Sequence, residues 1–143
     1  MIKKYRFLFI SAVFLVIAYI MYETMLSYQF KNIKHSSPEF TISTSELTNE
    51  FNTNEELANK EYIDKVIEVY GKIKKISTLN DRRTIILESK NAINIICDLD
   101  DTEKTDINTL KINQQLYIKG ICKGYLKDVI LLNCFIVTHR NHE

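Results

Sequence analysis

A chain of 143 residues, 45% of them hydrophobic and 26% charged, has room for one domain and an appended segment, and not for two full domains. Five of the 19 basic and two of the 18 acidic residues precede Thr44, which leaves 14 basic against 16 acidic residues from there on, so the net charge of +1 conceals a slightly acidic domain. That balance disfavours a nucleic-acid footprint, because neutralising phosphates normally supplies much of the affinity for such polymers.

In chain order, the first element is apolar. Phe7 to Tyr22 contains no charge, and the stretch extends to about Leu26 if Glu23 sits near lipid headgroups. About 20 apolar residues span the hydrocarbon core of a bilayer. Lys3, Lys4 and Arg6 precede the stretch, so the positive-inside tendency predicts a single-pass membrane protein with its N-terminus in the cytoplasm and the remainder outside it. A cleaved signal peptide is the competing reading; the sequence after the run, Tyr22-Glu23-Thr24-Met25, has no small-residue cleavage site, and no lipidatable cysteine follows it. The expected organisation is therefore a stub and transmembrane anchor over 1–26, a tether over 27–43, and a domain over 44–143.

The domain opens with helical signals. Thr44-Ser45-Glu46-Leu47 starts a helix with Leu47 and Phe51 on one face, and Thr53 and Glu56 have capping-box spacing for a second, with Leu57, Ala58 and Tyr62 as its stripe. Lys65 to Ile76 then reads as the leading strand: Val69, Gly71 and Ile73 share one parity, Glu68, Lys72 and Lys74 the other. A glycine in mid-strand suits a bulge where the strand coils. A polar loop, Ser77 to Arg83, leads to a hairpin of Thr84–Glu88 and Ala92–Leu99, and an acidic run from Asp100 to Ile107 reads as a short helix. Gln115–Lys123 and Val129–Val137, joined by a turn at Gly124 to Asp128, complete five strands.

The order β-β-β-α-β-β is that of the OB-fold, a five-stranded Greek-key barrel, here mainly β with a helical lead-in and hence α+β. A flat antiparallel sheet with a helix pair on one face is the alternative. From Ser45 to Val137 the chain also resembles the bacterial tRNA_anti-like family of OB-fold domains. The resemblance is carried by Asn54-Glu55, Ala58, Tyr62, Lys65-Val66-Ile67-Glu68-Val69 with Gly71, Ile96-Cys97, Lys119-Gly120-Ile121-Cys122 with Gly124, and Leu131 with Asn133-Cys134. Many members of that family are exported or lipid-anchored, which implies an extracytoplasmic place; this chain has an anchor helix instead of a lipobox.

The hairpin around Asp128 places Cys122 opposite Cys134, so a cross-strand disulfide is expected if the domain faces an oxidising compartment, with Cys97 unpaired; the alternative is two buried thiols. No C-x-x-C spacing supports a metal site. His35 lies in the tether and His139 and His142 in the tail, so no nucleophile, base and orienter assemble, and neither catalysis nor a cofactor is expected. OB-folds take ligands across their second and third strands and the flanking loops. Those strands carry no aromatic residue for base stacking, which leaves Arg82 and Arg83 in the first loop and Tyr125 and Lys127 in the last, expected to converge at one end of the barrel. The function expected is a non-enzymatic, membrane-tethered module binding a protein, glycan or small molecule; an oligonucleotide-binding OB-fold is the alternative.

Overall fold

A computed structural model describes residues 12–23 and 33–137, which belong to two compact units, one ending at Asn32 and the other beginning at Ile33. In the first unit residues 12–23 are helical, and their apolar side chains, Phe14 and Leu15 foremost, are exposed. The rest of the expected span lies outside the described residues. Among those described, no helix is long and apolar enough to cross a membrane.

The second unit is built on β2 (Val66–Leu79), the leading strand of the sequence analysis. Its Ile67, Val69 and Ile73 are wholly buried while Lys72 and Lys74 are exposed, as period-2 alternation requires. The strand serves both halves of a barrel: Val66 to Lys72 pair with β5 (Gln115–Tyr125), Ile73 to Leu79 with β3 (Arg82–Leu87). It changes partner at a bulge between Ile73 and Lys75, two residues beyond the expected Gly71. Gly71 has a different task, described below. β4 (Ile95–Leu99) pairs antiparallel with β3 and parallel with β6 (Val129–Val137), and β6 pairs antiparallel with β5. The ring β2-β3-β4-β6-β5 closes on itself, which is the five-stranded OB barrel and excludes the flat sheet.

The helices cover this barrel as the pattern predicts, with shifted ends. α1 (Thr44–Thr53) buries Leu47 and Phe51 and is capped by Ser43, whose hydroxyl accepts from the Glu46 amide at 3.1 Å. α2 (Glu55–Tyr62) is capped by Asn54 rather than Thr53; it buries Ala58 and Tyr62 but leaves Leu57 60% exposed. The acidic run forms only a single 3-10 turn, Ile107–Thr109, because Asp100, Glu103 and Asp106 each bond backbone two residues ahead and hold the chain in turns.

Of the segment expected as tether, residues 33–43 belong to the barrel unit. Phe40–Ser43 form β1, parallel to β2, and Ile33 is buried. Lys119 on β5 donates its ammonium to the carbonyls of Lys34 and Ser36, at 2.9 and 2.7 Å, while the Lys34 ammonium lies over the Phe135 ring.

Candidate nucleic-acid or ligand interface

The outward side chains of β3 and β4 form the face over which OB-folds take their ligands. Ile86, Ile96 and Ile130 lie side by side across β3, β4 and β6, half-buried, with Thr84 and Asp98 beside them. Neither β3 nor β4 contains an aromatic residue.

The four residues expected to converge do not. Arg82 and Arg83 sit at the start of β3, beside Asp98 and Asp100 at the C-terminal end of β4; Tyr125 pairs with Val129, which pairs with Ile95 at the N-terminal end of β4. The two groups therefore stand at opposite ends of β4, about 13 Å apart along a five-residue strand. The reason is connectivity: β4 runs parallel to β6 and antiparallel to β3, so the turn before β3 and the turn before β6 lie at opposite ends. The first loop is also almost absent, since Asn80 and Asp81, at φ +49° and +64°, make a two-residue turn with the strands continuing to Leu79 and Arg82. Tyr125 packs against Phe51, ring centroids 6.0 Å apart, and Lys127 is exposed.

Beside Arg82 lies an acidic groove of about 380 Å³ whose lining includes Arg82, Asp98, Asp100, Asp101 and Asn133. Arg82 pairs with Asp98 at 3.4 Å and Arg83 donates to the Asp100 carbonyl at 2.8 Å, so both guanidinium groups already have partners. Burial raises the Asp100 pKa, but the Thr102 hydroxyl and amide, the Asn133 amide and Arg83 outweigh it and hold the carboxyl below its usual range. That carboxylate stays charged and tied to its own loop.

A second groove, about 480 Å³, runs between α1 and β2. Tyr70 walls it and is stacked on Tyr117 of the neighbouring strand, centroids 5.4 Å apart; Lys72, Glu88 and Lys90 rim it. Sequence reasoning passed over these residues, although the alternation Tyr70-Gly71-Lys72 in the leading strand marked an aromatic and a cation close together.

The closed barrel and strand order agree with a family model described as tRNA_anti-like, which matches residues 1–136. The chain belongs to the tRNA_anti-like family. No curated protein matches it. Among solved structures, the tRNA_anti-like chain is similar to a candidate nucleic acid-binding lipoprotein from Klebsiella pneumoniae, with 18% identity and a TM-score of 0.58 over 68% of this chain and 91% of that one. It is more distantly similar to a Stn1–Ten1 complex from S. pombe, with 10% identity and a TM-score of 0.42 over 52% and 59%, and to an aspartyl tRNA synthetase from Entamoeba histolytica, with 12% identity and a TM-score of 0.40 over 76% and 27%.

In this tRNA_anti-like barrel the expected Cys122–Cys134 bridge is not formed: all three cysteines are free and buried. Cys122 faces Leu131, three residues from Cys134, because the turn is centred on Lys127, one residue earlier than expected, and a bulge between Cys122 and Gly124 shifts the β5–β6 ladder by one more. Three residues along a strand is about 10 Å, beyond the reach of a disulfide. Cys134 instead has the Cys97 thiol as a neighbour; burial, then that thiol, push its pKa well up, and burial raises that of Cys122. Among the described residues no group of His, Cys, Asp and Glu is arranged to hold a metal.

Proposed function

We propose that the chain is a non-enzymatic, membrane-tethered module whose barrel lies outside the cytoplasm and binds a glycan or other small polar ligand, not an oligonucleotide. The observation that carries it is the chemistry of the β3–β4 face. Where single-strand binders present stacking rings and free cations, this barrel presents isoleucines, Asp98 and two arginines already engaged with Asp98 and the Asp100 carbonyl. The excess of acidic over basic residues from Thr44 onward points the same way. The tether rests on the uncharged run from Phe7 to Tyr22, of which residues 12–23 form a helix with apolar side chains outward, and on the three basic residues before it.

The description of the Klebsiella relative as a candidate nucleic acid-binding lipoprotein favours the second reading, an oligonucleotide binder. Fluorescence anisotropy with labelled single-stranded DNA and RNA separates the two. The expected outcome is weak binding without a steep salt slope, whereas affinity that falls steeply with salt would establish phosphate contacts and displace the proposal. For the tether, a reporter fused after Glu143 is expected to be active only on the far side of the membrane; cytoplasmic activity would reverse the orientation.

A further inference from the structure

The groove between α1 and β2 is assembled around Gly71. A β-carbon at this position would collide with the Thr44 side chain, so the bare backbone lets the first residue of α1 settle onto β2. From there Thr44 donates its hydroxyl to the Glu88 carbonyl at 2.7 Å, and the Glu88 amide donates to the Lys72 carbonyl at 2.8 Å. Ser89 is joined to Thr48 by a hydroxyl contact of 2.6 Å. Helix, strand and the β3–β4 loop are thus tied together by backbone and short side chains, and the groove is a preformed frame.

The longer side chains on that frame have no such engagement. Among the described residues the Lys72 and Lys90 ammonium groups, the Gln115 amide and the Glu88 carboxylate make no hydrogen bond or ion pair. Tyr70, by contrast, is held in place by its stack on Tyr117 and offers a fixed apolar wall.

We propose that this groove binds a sugar-like ring carrying a single oxyanion, a carboxylate or a phosphate. Two ammonium groups against one carboxylate leave one positive charge, which suits one anion. Glu88 opposes a second, so a polyanionic backbone is disfavoured. The same carboxylate, with Ser45 and Gln115, can accept or donate to ring hydroxyls, and the Tyr70 ring gives the apolar face of the sugar a surface. A volume of about 480 Å³ is within the range of small-ligand sites.

The proposal rests on the reading of the barrel as a binding module, and its test separates the two. The full chain in detergent is titrated with glucuronate, glucose 6-phosphate and neutral glucose while backbone amide resonances are followed. The expected result is shifts at Ser45, Tyr70, Gly71 and Ser89 with one or both anionic sugars, and at least about tenfold weaker binding of glucose. Which anion binds tighter identifies the source as a uronic-acid glycan or a sugar phosphate. Lys72→Glu with Lys90→Glu, both exposed, should weaken the anionic sugars at least about tenfold while the spectrum stays dispersed. An equal response to glucose, an unaffected double variant, or no shift with any sugar up to about 10 mM would overturn the proposal. Shifts confined to the groove of Arg82 and Asn133 would overturn it too, while leaving a ligand-binding module intact.

Discussion

A β-carbon at position 120 would lie 2.5 Å from the Cys134 sulfur and 3.1 Å from the Leu132 carbonyl oxygen. Both neighbours are held in β6, so Gly120→Ala forces the barrel wall to shift and is expected to cost about 1 to 3 kcal/mol in a urea titration. Adding Cys134→Ala removes the nearer obstacle and should recover part of that loss, a coupling that a double-mutant cycle measures. The cysteines themselves give a second residue-scale outcome. With all three buried and the thiols of Cys122 and Cys134 held protonated by their surroundings, an aromatic disulfide reagent at pH 8 should titrate no thiol in native protein and three after unfolding. Rapid reaction of the native chain would contradict the burial.

At the scale of elements, short local devices set where strands end. The β2–β3 turn places two non-glycine residues in the left-handed region, which Asn tolerates better than most and glycine best. Asp81→Gly is therefore expected to leave stability unchanged or raise it by up to about 1 kcal/mol, read from the thermal midpoint; a loss would mean that the Asp81 side chain supports the turn. Lys119 acts over a longer range. It is buried to 8% exposure, its ammonium bonded to two carbonyls of the segment before β1, with Glu68 raising a pKa that burial lowers more strongly. Lys119→Met keeps the stem and removes both bonds, so residues 33–39 should become susceptible to proteolysis while the barrel resists.

Across the whole molecule, the connection from β4 to β5 is fastened by carboxylates. Glu103, almost wholly buried, accepts from the Thr105 amide and hydroxyl at 2.9 and 2.8 Å and from the Ile136 amide at 3.3 Å, so it links this connection to β6. Burial raises its pKa, but these bonds and Lys34 outweigh it, and the folded value, like that of Asp100, lies below the ordinary one. A depressed carboxylate pKa contributes stability that is present above the unfolded value and lost as pH falls through the folded one. The urea midpoint is thus expected to hold from about pH 8 to 6 and to fall below about pH 5, and Glu103→Gln should flatten that fall.

Strand order and the helical lead-in are legible in the sequence because each rests on local or periodic information, and the family through stretches that resemble its members in order. Val69 and Ile73 alternate with Lys72 and Lys74 whatever the strand pairs with, and Leu47 and Phe51 fall on one helical face wherever the helix docks. That residues 33–43 belong with the barrel was not legible, since what holds residues 34 and 36 is a lysine more than 80 positions away. Nor were the cysteine positions or the placement of Arg82 against Tyr125. Each depends on register across a closed barrel, where one bulge shifts every later partner and a parallel β4–β6 pair sends two turns to opposite ends. Local chemistry chose the elements; which side chains meet was decided only when the ring of strands closed.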